Sequence, residues 1–259
     1  MDLRISGKVA LVTGASRGIG AGICGVLARE DVSVIACARS QSDLESMLDV
    51  LPGAGAHESF VVDFMEHGSV ARLAMELEAR KLSPDIIVNN VGGNLGVIDP
   101  MSSAADMRLV FHLNLDVAVE LNRLLIPAMQ NRKWGRICHI SSISALENQG
   151  PPAYCAAKAA LNAYVRSLGR YVARDNVVLS TVMPGAILTA GGYWDNASRE
   201  RPEHVSSYLR DRMAIGRFGD VSEISELVGF MCSDLASFCI GSAILADGGQ
   251  GRAFYPSDL

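Results

Sequence analysis

Tyr154 and Lys158 stand four residues apart in the stretch Pro151-Pro152-Ala153-Tyr154-Cys155-Ala156-Ala157-Lys158. On a helix that spacing puts both side chains on one face, one turn apart. The neighbouring Ala156, Ala157, Ala159, Ala160 and Leu161 favour helix. A phenol beside an ammonium is a proton-transfer pair. Free tyrosine titrates at about 10, too high for acid–base work at neutral pH. A fixed cation nearby favours the phenolate and lowers that value. A shift of three units takes roughly 4 kcal/mol of differential interaction. One lysine is not enough for that, so a second cation or dipole is expected at the site. Taken alone, the same spacing fits a plain surface contact. The elements that would position the pair have to decide between the two.

Val9-Ala10-Leu11-Val12 is a short apolar run, as a buried parallel strand should be. It ends in Thr13-Gly14-Ala15-Ser16-Arg17-Gly18-Ile19-Gly20, and a helical pattern then runs to about Arg29. Strand, glycine turn and helix together present free backbone N–H groups to a phosphate. Gly14 allows the tight turn, Gly18 lets the backbone approach a pyrophosphate, and Gly20 lets helix and strand pack closely. Ser33 to Cys37 reads as a second strand, followed by Ala38-Arg39-Ser40. In a dinucleotide-binding unit an acid near this point holds a ribose 2′-hydroxyl, whereas an arginine accommodates a 2′-phosphate. The strand end offers Arg39 and no carboxylate, and Arg17 adds a second cation. Both point to NADP(H) over NAD(H). The alternative is two solvated arginines.

The remaining chain keeps alternating. Ser42 to Leu51 can form a helix. Phe60-Val61-Val62 is a third strand, ending in Asp63, an acceptor for an adenine amino group or a cap for the next helix, Ser69 to Lys81. Ile86-Ile87-Val88 is the fourth, ending in Asn89-Asn90-Val91-Gly92-Gly93, a loop composition suited to touching a ligand. A long helix is expected over about Ala105 to Asn131, with Asn114, a poor helix former, inside it. Arg136 to Ile140 is the fifth strand, ending in Ser141-Ser142. The Tyr154 helix reaches about Arg174. Val177 to Val182 is the sixth strand, ending in Pro184-Gly185, and Ile187-Leu188-Thr189 leads into an irregular stretch at about 190–217. A helix at Ser222 to Cys232 and a strand at Ala243 to Ala246 precede the turn Asp247-Gly248-Gly249. No linker, repeat or composition shift interrupts the order. It predicts an α/β chain, residues 1–259 as a single domain, with a Rossmann-type, doubly wound, seven-stranded parallel sheet and helices on both faces. Every residue singled out falls at the carboxyl end of a strand or on a helix facing that edge, where such sheets bind ligands.

Bulk properties exclude several classes. Of 259 residues, 49% are apolar, enough to cover both faces of a sheet. Net charge is −5 without a basic block, which argues against nucleic acid. The six cysteines form no C-x-x-C and mostly sit in apolar runs, so buried reduced thiols and no metal are expected. Met1 to Lys8 lacks a long apolar core and no stretch suits a bilayer, so neither a signal peptide nor a membrane span is expected, and the expected location is cytoplasmic.

With these residues assembled, the chain resembles the short-chain dehydrogenase/reductase family over nearly its whole length. The resemblance rests on Thr13-Gly14 with Gly18-Ile19-Gly20, on Asn89-Asn90-Val91-Gly92, on Asn114 and Ser142, on Tyr154 with Lys158, and on Pro184-Gly185. The run Arg217-Phe218-Gly219 through Gly241 to Asp247-Gly248-Gly249 is also similar to the family. It implies that Tyr154 gives a proton to a carbonyl oxygen in reduction and takes it back in oxidation. It implies that Ser142 orients that oxygen, that Lys158 binds the nicotinamide ribose and lowers the tyrosine pKa, and that Asn114 holds a relay water. Oxidised nicotinamide would be the second cation. Implied cofactor contacts are Gly14, Ser16, Arg17, Gly18, Ile19, Gly20, Arg39, Asp63, Asn90, Gly92, Tyr154, Lys158, Pro184, Gly185, Ile187 and Thr189. Two departures stand out. Val91 replaces the usual alanine. The family's serine also lies thirteen positions before the tyrosine, which lands on Ser141, while counting along the strand from Gly135 gives Ser142. Strand registers hold where loops absorb deletions, so Ser142 is the expectation and Ser141 the fallback.

The implied substrate is a small carbonyl or alcohol. The expected lid, 190–217, is rich in Tyr193, Trp194, Asp195, Asn196, Arg199, Glu200, Arg201 and His204, which leans towards a polar or anionic ketone or alcohol; the alternative is that these charges simply face water. Arg132, Lys133, Arg170 and Arg174 suit an acidic carrier protein or are solvated helix faces, so a 3-oxoacyl thioester stands level with a polyhydroxylated ketone as the expected substrate. The resemblance also implies a homotetramer, for which the apolar faces around Leu113 to Leu125 and Ala159 to Leu168 are candidates. Two rivals of other classes are a catalytically silent NADPH-binding regulator and a purely structural α/β domain. The intact Ser142, Tyr154 and Lys158 argue against the first, and the glycine turn against the second.

Overall fold

Runs of apolar residues too short for helices become strands covered on both faces. They are β1 (Val9–Thr13), β2 (Ser33–Ala38), β3 (Glu58–Val61), β4 (Ile86–Asn89), β5 (Gly135–Ile140), β6 (Val177–Pro184) and β7 (Ser242–Ala246). In a computed structural model, which describes residues 2–252, they form one sheet in the order β3-β2-β1-β4-β5-β6-β7. Every pairing is parallel. This is the doubly wound seven-stranded sheet that the sequence predicts. The order reverses between β1 and β4, so connections leave in opposite directions there and open a crevice at the carboxyl ends.

Alternate residues of each strand serve opposite faces. Ala10, Val12, Val34, Ala36 and Val88 meet α1 (Gly18–Arg29), α2 (Gln41–Leu48) and α9 (Val221–Met231). Leu11, Ile35 and Phe60 meet α3 (Ser69–Ala79). Ile87, Ile137 and Leu179 meet α5 (Val117–Arg132) and α6 (Pro152–Val172). Within the expected tetramer faces, Leu113, Leu121, Leu161 and Val165 pack against the sheet, while Leu115, Val119, Leu124 and Leu168 stay partly exposed. Among the described residues, no helix is long and apolar enough to cross a membrane.

Two expectations need correction. The long helix at 105–131 is interrupted: α4 (Ala104–Phe111) and α5 flank a π-helical turn, His112–Asp116. The turn places Asn114 so that its Nδ2 donates to Val110 O at 2.8 Å and to Gly93 O at 2.7 Å. Its Oδ1 accepts from Gly93 N at 3.0 Å. The stretch 190–217 is also not irregular. It holds α7 (Tyr193–Glu200) and α8 (Pro202–Arg212). Pro202 sits at the start of α8, where its missing N–H costs nothing. Each of these helices buries a single residue, Ala197 or Val205, and is otherwise mostly polar, so no apolar run marks it in sequence.

A polar row lies under α5 and α6, where apolar residues would be expected. Asn89 and His139 are register partners, as are His139 and Thr181. His139 is wholly buried, with Nδ1 3.2 Å from Ser180 O and Nε2 3.1 Å from Asn122 Nδ2. A carbonyl can only accept and the neutral ring has one hydrogen, so Nδ1 carries it and Nε2 accepts. Burial pushes the imidazole down to about 4. Between that value and 6.5 the unfolded chain binds more protons than the folded one, so stability falls as pH falls through this window. The urea midpoint should therefore drop between about pH 7 and pH 5, and His139→Gln should flatten the drop. An unchanged slope in the variant would place the acid sensitivity elsewhere.

Candidate active site

The turn after β1 is built on contacts that tolerate no side chain. Gly14 and Gly18 have φ of +63° and +57°. A Cβ on Gly20 would stand 2.2 Å from Gly14 O, so α1 starts hard against the end of β1. No side chain caps the first turn of α1, which leaves its N–H groups facing the crevice. The opposite wall is pinned by Thr13, whose hydroxyl accepts from the N–H groups of Asn90 at 2.9 Å and Val91 at 3.0 Å. The Asn90 amide closes the loop by donating to Thr13 O and Gly14 O.

Between these walls lies a cavity of about 690 Å³. Of the residues singled out in sequence, Gly14, Ser16, Arg17, Gly18, Ile19, Gly20, Arg39, Asp63, Asn90, Gly92 and Thr189 line it. Pro184, Gly185 and Ile187 do not, and neither do Tyr154 and Lys158. Ile187 instead lines a smaller cavity of about 270 Å³ with Arg217 and Glu223. Asp63 accepts from Met65 N at 2.9 Å, and α3 is preceded by Gly68, so Asp63 is not that helix's cap. Arg17 and Arg39 reach the cavity without an ion pair among the described residues. Uncapped N–H groups, a cradle that a Cβ would fill and two unpaired guanidiniums fit a dinucleotide with an extra phosphate.

The cavity opens toward the chemistry at Gly92. A Cβ there would lie 2.7 Å from Asn114 Oδ1 and 3.0 Å from Lys158 Nζ. Lys158 is buried, and its ammonium donates to Ile140 O at 2.8 Å. The ammonium lies 5.7 Å from the centre of the Tyr154 ring. The two serines part company: Ser141 Oγ turns inward to Lys158 O at 3.4 Å. Ser142 Oγ accepts from Ser144 N at 3.1 Å and stands beside the Tyr154 phenol. The structure thus gathers Asn114, Ser142, Tyr154 and Lys158 just beyond Gly92, outside the lining of the cavity itself.

Electrostatics differ from the sequence expectation. Burial raises the Tyr154 pKa above its ordinary value, and the Ser142 hydroxyl only partly offsets this. Burial likewise pushes Lys158 down to about 7. Without further positive charge, the pair does not make an acidic phenol. The lysine spends its hydrogen bond on a backbone carbonyl, and desolvation opposes both charged forms.

The family model for short chain dehydrogenases matches residues 8–199. The chain belongs to the short-chain dehydrogenase/reductase family. It is 34% identical over 250 residues to a 3-oxoacyl-(acyl-carrier-protein) reductase of Pseudomonas aeruginosa, covering 96% of this chain and 99% of that one. A 3-oxoacyl-(acyl-carrier-protein) reductase structure from Agrobacterium tumefaciens with NADP bound superposes with a TM-score of 0.88. Its identity is 31%, over 96% of each chain. L-sorbose reductase from Gluconobacter frateurii, complexed with NADPH and L-sorbose, gives 0.90 at 29% identity, over 97% of this chain and 99% of that one.

Sequence reading missed Asn122 and His139 beneath the site and Gln250 beside it. Their only signal was polar residues in otherwise apolar or glycine-rich runs. The parting of the two serines is testable in any carbonyl reduction that the enzyme performs. Ser142→Ala should cost about a hundredfold in kcat/KM, as loss of a donor to a developing oxyanion does. Ser141→Ala should cost under tenfold. The reverse order would show that the inward serine is the working one.

Proposed function

We propose that this chain interconverts a ketone and a secondary alcohol with NADP(H), using Tyr154 as the acid–base group. The observation that carries this reading is the gathering of Ser142, Tyr154 and Lys158 at the mouth of a glycine cradle that also holds Arg17 and Arg39. Bound cofactor supplies the hydride in reduction and accepts it in oxidation. Ser142 donates to the substrate carbonyl oxygen and fixes its position. Tyr154 Oη gives that oxygen a proton in reduction and takes it back in oxidation. Lys158 holds positive charge beside the phenol and is available to a ribose hydroxyl. The Asn114 amide is mostly committed to Gly93 and Val110, which leaves Oδ1 one lone pair for a water. Arg39 pairs with a 2′-phosphate, and Arg17 supports it. A silent regulator would have no use for the three gathered groups.

For the substrate we favour a small polar, polyhydroxylated ketone. Two of the four cations that suit an acidic carrier are already engaged. Arg132 binds Pro84 O and Asp85, and Lys133 pairs with Asp175. A 3-oxoacyl thioester is the second reading, supported by the 34% identity to a reductase of that class. The same proposal includes a cytoplasmic location and a homotetramer. Phe238 and Tyr171, 98% and 80% exposed, are the apolar surface that further copies would cover.

A panel of ketones and alcohols with NADPH, NADP, NADH and NAD, followed by absorbance of the reduced nicotinamide, tests the reaction class. Tyr154→Phe should lower kcat about a thousandfold while the NADPH dissociation constant stays within a few fold. Retained turnover would remove Tyr154 from the mechanism. Arg39→Ala should weaken NADPH by about tenfold or more and NADH little, since a charge-assisted bond to phosphate is lost. Equal weakening of both would remove the argument for the phosphorylated cofactor.

A further inference from the structure

Gln250 follows the Asp247-Gly248-Gly249 turn and is only 2% exposed. Its amide joins three segments. Oε1 accepts from Ala186 N, just past β6, at 2.8 Å. Nε2 donates to the Tyr208 hydroxyl on α8 at 2.6 Å and to Gln149 Oε1 at 3.4 Å. Gln149 lies in the loop from Ser142 to Tyr154, beside Gly150, where a Cβ would touch the Tyr154 ring at 3.4 Å. A second strap runs parallel. Arg252 N donates to the Glu147 carboxylate, and the Arg252 guanidinium donates to Asp211 O at 2.6 Å. Gly185 is what lets this segment approach. A Cβ there would stand 2.7 Å from Gln250 Oε1 and 2.7 Å from Asp247 Cα.

The donor pattern has a consequence for Tyr208. Both Nε2 hydrogens of Gln250 are given away, so the Tyr208 oxygen is an acceptor in that bond. Its own hydroxyl hydrogen has no acceptor among the described residues. Burial raises the phenol's pKa, so that hydrogen stays in place through the neutral range. The ring is held by Trp194 at 4.2 Å, and Phe218 backs Trp194 at 4.7 Å.

We propose that Gln250 is a positioning residue that latches α8 to the loop before the catalytic tyrosine, and that the latch offers the Tyr208 hydroxyl hydrogen to an oxygen of the substrate. The substrate half rests on the reductase reading above, and narrows it to ketones bearing a hydroxyl or carboxylate near the reacting carbonyl. The latch half stands without turnover.

Two measurements test the two halves. In hydrogen exchange on the full chain, Gln250→Leu and Tyr208→Phe should each speed exchange over residues 202–212 by about five- to tenfold, the loss of one buried bond. The double variant should go no further than Gln250→Leu alone, because the two share that bond. Unchanged exchange in Tyr208→Phe, or effects that multiply, would overturn the latch. Gln250→Glu keeps an acceptor for Ala186 N and gains one for the Tyr208 hydrogen, so α8 should stay protected. This variant also serves if the leucine variant fails to fold. In kinetics, 2-hydroxycyclohexanone is compared with cyclohexanone. Tyr208→Phe and Gln250→Glu should both raise KM for the hydroxyketone about tenfold relative to the parent, because each removes the free hydrogen. Equal changes for the two ketones would overturn the substrate half. Wild-type protein that turns over nothing in the ketone and alcohol panel above sinks that half together with the reductase reading, while exchange still decides the latch.

Discussion

A buried ammonium must find an acceptor, and Lys158 finds the carbonyl of Ile140 at the end of β5. That one bond sets α6 in register against the strand. Ser142 lies two residues beyond the carbonyl, and Tyr154 lies one helical turn before the lysine. Their meeting therefore follows from where the ammonium docks. The same docking explains the glycine opposite: any side chain at Gly92 would collide with Lys158 and Asn114. The cavity can reach the catalytic end only because that position is empty.

The docking also has an electrostatic cost, which is left standing. Burial disfavours the charged form of both partners, raising Tyr154 and lowering Lys158 toward neutrality. A site organised this way is most responsive to charge that arrives with a ligand, because few mobile counter-charges surround it. Arg17 and Arg39 play the corresponding part at the far end of the crevice, where unpaired guanidiniums wait over uncapped N–H groups.

Much of this was legible in the chain itself. Strands declare themselves when both faces are covered, since their apolar runs are unbroken. The turn from Thr13 to Gly20 is legible because only glycine allows its conformations and close contacts. A strand-register count prefers Ser142 over Ser141, and the structure puts Ser142 Oγ beside the Tyr154 phenol while Ser141 Oγ turns to Lys158 O. Other features were hidden for definable reasons. Helices α7 and α8 bury one residue each and are mostly polar, so no apolar run marks them. The direction of the Tyr154 shift depends on how deeply the phenol is desolvated, and spacing says nothing about depth. Gln250 acts across three segments far apart in sequence, a relation that no local pattern contains.

The π-helical turn at His112–Asp116 carries one more residue than an α-helix would fit into that turn. Each residue of an α-helix advances about 100° around the axis. Were the same residues wound as one uniform α-helix, everything after the turn would swing by that angle. Either Asn114 would keep its grip on Gly93, or Leu121 and Met129 would keep facing the sheet. A uniform helix cannot meet both requirements. The wide turn is the phase correction that lets one rod answer to the Gly93 loop at one end and the hydrophobic interior at the other.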